Sequence, residues 1–427
     1  MSGLQYLVGS DYILACLIPL VLLVLSLQIL GNPRDMLEVI FGRSHATPGY
    51  FSVRRAAASY AQYAKLSARE LATMRSSYGR MSWAHRRIGY ELGYTKKLAR
   101  LEDAISTNAR VAEAIAALAR EQFPDEIQPS SLLQPDFAGD LGRVRESLKH
   151  FVRDWSDEGR NERAKIFEPI LEVLRAEQPS KREHMRVLVP GSGLGRLAWE
   201  ISQLGYHTTA NELSAFMNLA FRFLLSERYT DRPGQHVLQP YASWFSHQRT
   251  PDAIFRPTSF PDVVPRLNDH LVLAEQDFLS LRPPRNANAD AAGEGQGPYY
   301  DFIVTLFFID TALNAIETLQ HIHALLRPGG KWINLGPLLW TGGGQASVEL
   351  SLEEVLRLAE MVGFTIVGEG EGEGENKNGE DGDGEDGDGD RDGRERRRTI
   401  ECEYTADKVA MMKWLYQAEF WVARRAS

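Results

Sequence analysis

Cysteine is nearly absent from this 427-residue chain: there are 2, Cys16 and Cys402. Two thiols cannot build a disulfide framework, and their scarcity suits a reducing compartment. Without more cysteine, and with His321 and His323 two apart on a predicted helix and so on different faces, no metal-ligand cluster forms from sequence neighbours. A nucleophile elbow is also missing, since GSG at 191–193 runs into Leu194 rather than completing G-x-S-x-G. Excess charge of one sign is confined to one place. The formal net charge is −9, but residues 368–398 hold 13 acidic against 6 basic residues, a net of −7, which leaves −2 for everything else. No polyanion partner is implied. The one aromatic and basic stretch, YGRMSWAHRRIGYELGYTKK at 78–97, has its bases at helical spacing among core-like positions, so it reads as helix rather than as a nucleic-acid surface.

Long apolar runs are scarce too, with one exception. Residues 12–30, YILACLIPLVLLVLSLQIL, carry no charge over 19 positions. At ~1.5 Å per residue this just spans a hydrocarbon core of roughly 30 Å. No basic n-region precedes it, whereas Arg34, Arg43, Arg54 and Arg55 follow, which predicts a single-pass anchor with the remainder facing the cytosol. Residues 51–165 then form an Ala-, Arg- and Leu-rich helical region, in which LARLEDAISTNARVAEAIAAL repeats its apolar residues every three to four positions.

From residue 166 to 427 strands and helices alternate. VLV (187–189), a strand ending at Glu212, LVLAEQDFL (271–279), YYDFIVTLFFIDT (299–311), KWINLGPLL after the RPGG turn, and TIVG are the strands. TALNAIETLQHIHALL and LSLEEVLRLAEMVGF are the intervening helices. TIECEYT and EFWVARR close the chain, so the pattern predicts a Rossmann-like α/β fold, parallel with an antiparallel final hairpin. The Gly- and acid-rich segment 368–398 cannot bury a core and reads as a disordered surface insertion.

The chemistry is carried by RVLVPGSGLGRLAWEISQLGYHTTANE, 186–212. Gly191, Gly193 and Gly195 form a turn between strand and helix where backbone can approach a ligand. The spacing is G-x-G-x-G, with Arg196 where a dinucleotide fingerprint would place its third glycine, so a pyrophosphate is not the expected ligand. Glu212 ends the second strand, where a carboxylate accepts hydrogen bonds from two ribose hydroxyls. Ligands of open α/β sheets bind beyond the carboxyl ends of the strands. Asp277, Phe278 and Asp310 map there as well, the first two suited to an adenine amino group and ring. Asp277 also suits a turn cap, and Asp310 an N-cap for a helix starting at Thr311.

This glycine spacing resembles the first motif of class I S-adenosylmethionine-dependent methyltransferases. More specifically, LVPGSGLGRLAWEISQLGY, NELSAFM, FFIDTALNAIETL, LRPGGKWINLGPLLW and MMKWLYQAEF together resemble the carnosine N-methyltransferase family over roughly residues 50–425. The resemblance implies methyl transfer from S-adenosylmethionine to an imidazole nitrogen of a histidine-containing dipeptide, without metal. It places Arg153 on the methionine carboxylate and, also among the cofactor-binding positions, His150 where the family has glutamine. Gly191, Gly193, Glu212, Asp277 and Phe278 would hold the cofactor, with Leu306 lining its cleft. Asp310 would orient the acceptor imidazole and Tyr416 complete the substrate pocket. After INLGPLL the family pattern has an aromatic and then a histidine that helps bind the dipeptide; here Trp340 is followed by Thr341. Methylation of protein histidine, a catalytically silent membrane-tethered binding protein and a nicotinamide oxidoreductase are the competing readings.

Overall fold

The computed structural model describes residues 52–127, 140–282, 299–340, 346–367 and 394–426, and residues from Phe51 onward make one compact unit. The apolar run 12–30, Thr341 and most of the charged insertion lie outside the described residues. Among the described residues no helix is long and apolar enough to cross a membrane, and no group of histidine, cysteine and acidic residues is arranged to hold a metal ion.

Three helices open the described chain: α1 (Val53–Gly79), α2 (Trp83–Glu91) and α3 (Tyr94–Gln122). Ser52 starts α1 by accepting from the Arg55 N–H at 3.2 Å. α4 (Leu141–Trp155) and α5 (Arg160–Arg175) follow. In α4 the buried Leu141, Val144, Leu148, Phe151 and Trp155 recur every three or four residues, which turns one stripe to the core. The boundary expected between residues 165 and 166 falls inside α5. The helical region and the sheet share one hydrophobic core, in which Tyr60, Ile115 and Phe151 join Val187, Val304 and Phe420. Burying these stripes against the sheet is what stabilises the helices.

The main sheet runs β5 (Leu271–Ala274), β2 (His207–Asn211), β1 (Arg186–Pro190), β6 (Tyr300–Leu306), β7 (Leu326–Gly336), β10 (Tyr416–Arg425), β8 (Phe364–Ile366). β9 (Arg398–Cys402) pairs with β10 on the same edge as β8. The first five strands are mutually parallel; β10 is antiparallel to β7, β8 and β9. Central strands read as continuous apolar runs because both faces are covered. α6 (Arg196–Gln203) and α7 (Ala215–Leu225) belong to the first core. α8 (Ala315–Leu325) and α9 (Leu352–Val362) cover the opposite face, where Ile303, Trp332 and Trp421 form a second core. A small sheet of β3 (His236–Leu238) and β4 (Thr258–Phe260) lies apart from it. This is a Rossmann-like α/β architecture, a mixed sheet with helices on both faces.

Three local expectations need correction. β7 begins at Leu326, before the RPGG turn, and the irregularity is absorbed between Tyr300 and Phe302, with Gly329 at φ 72°. α8 begins at Ala315, capped by Asn314, so Asp310 does not cap it. The charged insertion does not extend to residue 398: Glu395 is buried and pairs with Lys331 at 2.5 Å, and Arg398 opens β9 with its guanidinium 4.4 Å from the centre of the Phe420 ring.

Candidate active site

The carboxyl ends of β1, β2 and β6 converge on the glycine turn, whose three glycines are required for different reasons. All adopt positive φ: 63° at Gly191, 57° at Gly193 and 71° at Gly195. A Cβ on Gly191 would come within 2.6 Å of the Phe308 ring, and one on Gly195 would land in the Phe221 ring. A Cβ on Gly193 would enter open space, its nearest neighbour being Nη2 of Arg153 at 4.0 Å. Gly193 is therefore the one of the three whose missing side chain leaves open space beside Arg153.

Glu212 anchors that turn. Oε2 accepts from the Gly193 N–H at 2.9 Å and Oε1 from the Ser214 N–H at 2.7 Å. Burial raises its pKa, opposed by the backbone donors at Ser214, Gly193 and Leu213. With three backbone donors on about four lone-pair sites, the carboxylate keeps capacity for a further donor. Next to it, Asn211 donates to the carbonyls of Ala274 at 2.9 Å and Gln276 at 2.7 Å, fixing the end of β5 and so the position of Asp277. Asp277 accepts from the Leu279 N–H at 3.0 Å and caps the short 3-10 turn of Phe278–Ser280. Phe278 is buried, edge-on to Phe308 at 5.3 Å and His321 at 4.9 Å.

Beside the open space at Gly193, α4 presents Arg153 and His150. Arg153 is buried and bidentate with Asp154, at 2.6 and 3.0 Å, and its guanidinium lies 4.3 Å from the centre of the Tyr404 ring. Burial and then the Arg153 charge lower the His150 pKa, which favours the neutral ring. Its Nδ1 lies 2.9 Å from the Glu146 carbonyl and therefore carries the proton, which leaves Nε2 to accept from the Tyr404 hydroxyl at 3.4 Å.

Leu306 ends β6, half-buried against the first core. The next residue, Phe307, has φ 50°, a conformation costly for a bulky residue, and strain of this kind gathers at functional sites. Its ring stacks on Tyr404 at 4.5 Å and meets Tyr416 edge-on at 5.5 Å. A Cβ on Gly336 would approach Phe307 backbone at 3.1 Å, so glycine there lets β7 lie against the strained residue. Asp310 is buried, accepts from the Leu339 N–H at 3.1 Å, and is pushed up from 3.8 to about 6 by burial. Burial raises the pKa of Tyr416, and the nearby Asp310 charge adds to it.

Sequence reasoning missed Tyr404, Phe307 and Gly336. The first arrives from the β9–β10 connection, far in sequence from α4, and no local pattern announces it. Phe307 was visible only as part of a β-like FF pair.

The carnosine N-methyltransferase family model matches residues 132–378. The chain is 30% identical over 387 residues to the carnosine N-methyltransferase of Schizosaccharomyces pombe, covering 86% of this chain and 92% of that protein. It belongs to the carnosine N-methyltransferase family. With the Mus musculus carnosine N-methyltransferase it shares 33% identity over 304 residues, 69% of this chain and 65% of that one. As a member of this family the chain is a methyltransferase; its glycine turn and Glu212 lie next to Arg153 and Phe308, and Asp310 lies near Tyr416. Among solved structures, phosphoethanolamine N-methyltransferase 2 of Haemonchus contortus in complex with S-adenosyl-L-methionine is similar at 16% identity, covering 55% of this chain and 45% of that one with a TM-score of 0.30.

Proposed function

We propose that this chain transfers a methyl group from S-adenosylmethionine to an imidazole nitrogen of a histidine-containing dipeptide such as carnosine. The observation that carries the reading is Asp310, a buried carboxyl raised to about 6 in the 3-10 turn that follows β6, near Tyr416. The glycine turn fits the donor. The open space at Gly193 lies between a guanidinium and a carboxylate that keeps some acceptor capacity, which suits a carboxylate at one end of the ligand and a diol at the other. Glu212 would take the ribose hydroxyls, Arg153 the methionine carboxylate, and Gly191 and Gly193 the backbone approach. Asp277 and Phe278 would flank the base, Leu306 the cleft, and His150 would steady Tyr404 over Arg153. When bound, the sulfonium supplies an already activated methyl group.

The residues then have three tasks. Asp310 accepts the N–H of the acceptor imidazole, which fixes the tautomer that leaves the other nitrogen's lone pair free and aimed at the methyl. As that nitrogen becomes bonded, positive charge grows on the ring and the Asp310 carboxylate stabilises it; its raised proton affinity makes it a competent acceptor of the ring proton. Tyr416 closes the pocket against water. The charge-free run 12–30 supports a membrane-tethered form with this site facing the cytosol, which alkaline extraction of membranes would test. The catalytic reading is tested by incubating the protein with S-adenosylmethionine and carnosine. Methylated dipeptide is expected; cofactor binding without transfer to any imidazole compound would overturn the acceptor assignment.

A further inference from the structure

We infer that Asp262 is a positioning residue for the amino-acid end of the cofactor, acting through two arginines on the turn that carries Arg153; this rests on the cofactor reading above. Asp262 follows β4, far from the glycine turn in sequence, and its side chain is 9% exposed. Oδ1 accepts from Nη1 of Arg196 at 2.6 Å and Oδ2 from Nη2 of Arg163 at 2.7 Å. Both guanidiniums then reach the last turn of α4. Arg163 Nη1 donates to the carbonyls of Arg153 at 2.6 Å and Ser156 at 2.7 Å, and Arg196 Nη1 to the carbonyl of Asp154 at 3.0 Å. The Asp262 backbone N–H takes the remaining carbonyl, that of Trp155, at 2.8 Å.

A helix ends with four carbonyls that lack intrahelical partners. Here three of the four consecutive carbonyls at 153–156 are taken by guanidiniums paired with the Asp262 carboxylate, and the fourth by the Asp262 N–H. Arg196 is also the first residue of α6, directly after the glycine turn, and the Trp155 indole donates to the Leu194 carbonyl of that turn at 2.9 Å. The network therefore ties the backbone under Arg153 to the backbone under Gly193, whose separation the cofactor has to match.

A buried ion cluster of this kind is poor evidence for stability, because desolvation offsets most of its attraction. Fixing a geometry is the use that accounts for it. Arg163 and Arg196 carry like charges close together; Glu200 pairs with Nε of Arg196 at 2.7 Å, and Asp262 is the carboxylate that lies between the two guanidiniums and bridges them. Removing that charge frees the α4 terminus to shift relative to the glycine turn. Arg153 then loses its register with the ligand's carboxylate, while Glu212 and the nucleoside end are untouched.

The test is calorimetric titration of the full chain, wild type and Asp262→Asn, with S-adenosylhomocysteine and with adenosine, which lacks the amino-acid end. The expected result is S-adenosylhomocysteine weakened by about tenfold or more, the size of one charge-assisted contact, with adenosine within about twofold of wild type. A general structural role would weaken both ligands alike, and that result, or no change in either, overturns the inference. Arg163→Lys, which keeps a charge on Asp262 but not the fork to two carbonyls, is read in the same way if Asp262→Asn does not fold. Wild-type protein that binds neither ligand would instead overturn the cofactor reading beneath it.

Discussion

Replacing Asp310 by asparagine separates what the carboxylate does for catalysis from what it does to stability, because the two effects have opposite signs. The amide oxygen still accepts from the Leu339 N–H, so the loop after β7 keeps its bond. Burial raises the folded-state pKa from 3.8 to about 6. Between those values the unfolded chain has released its proton and the folded one has not, so stability falls as pH rises through this window and is level above it. The ionised carboxylate thus costs the folded state about 3 kcal/mol near neutrality. Asp310→Asn removes that cost and adds about 1 kcal/mol for exchanging one carboxylate oxygen for an amide N–H among the same neighbours. The variant should be more stable than wild type by about 1–3 kcal/mol at pH 8, with the advantage gone below pH ~4. Denaturant titrations of both proteins at several pH values measure this. Activity should fall by about 10²–10⁴ despite the gain, as expected for a general base. The acid limb of log kcat/KM should have a slope of two in wild type, from Asp310 and the substrate imidazole, and one in the variant. A variant less stable than wild type at pH 8, with a deficit independent of pH, would refute the reasoning.

Other substitutions probe the rest of the crevice. Glu212→Gln keeps one oxygen for the glycine turn but loses the charge, and should weaken S-adenosylmethionine and S-adenosylhomocysteine alike by roughly ten- to a hundredfold in calorimetry. Gly193→Ala places a methyl group in open space at φ 57°; it should fold yet lose cofactor affinity. Gly195→Ala meets the Phe221 ring at φ 71°, and should lower stability by about 1–3 kcal/mol, read as a shifted urea midpoint. Tyr416→Phe should raise KM for the dipeptide several-fold while leaving the dissociation constant of S-adenosylhomocysteine unchanged.

The parts of the fold written in local pattern were readable before the structure. VLV, the glycine turn and the helix after it sit where periodicity placed them, and EFWVARR pairs in the antiparallel hairpin with the strand begun by TIECEYT. What failed was decided by long-range partners. Asp310 suits a cap for a helix starting at Thr311, but Asn314 holds that role and the carboxyl accepts from the Leu339 N–H of the segment after β7. The basic end of the charged insertion looked disordered by composition, yet Lys331 and Phe420 lie on neighbouring strands to pair with Glu395 and cover with Arg398. Arg153 could be placed at the site by resemblance alone; that its guanidinium shares a bidentate pair with Asp154 and lies beneath Tyr404 required the β9–β10 connection to be folded over α4. The carboxyl of Glu212 is likewise less a free ligand than part of the turn it serves.

The most direct test of the account is methyl transfer itself. Full-length protein is incubated with methyl-labelled S-adenosylmethionine, first with carnosine and then with carnosine methylated on the acceptor nitrogen, and the products are located by tandem mass spectrometry. The account predicts one label on the imidazole ring of carnosine, none on the blocked dipeptide, and none of either product from Asp310→Asn at a comparable rate. Label appearing on protein histidine with free dipeptide untouched, while S-adenosylhomocysteine still binds, would contradict it.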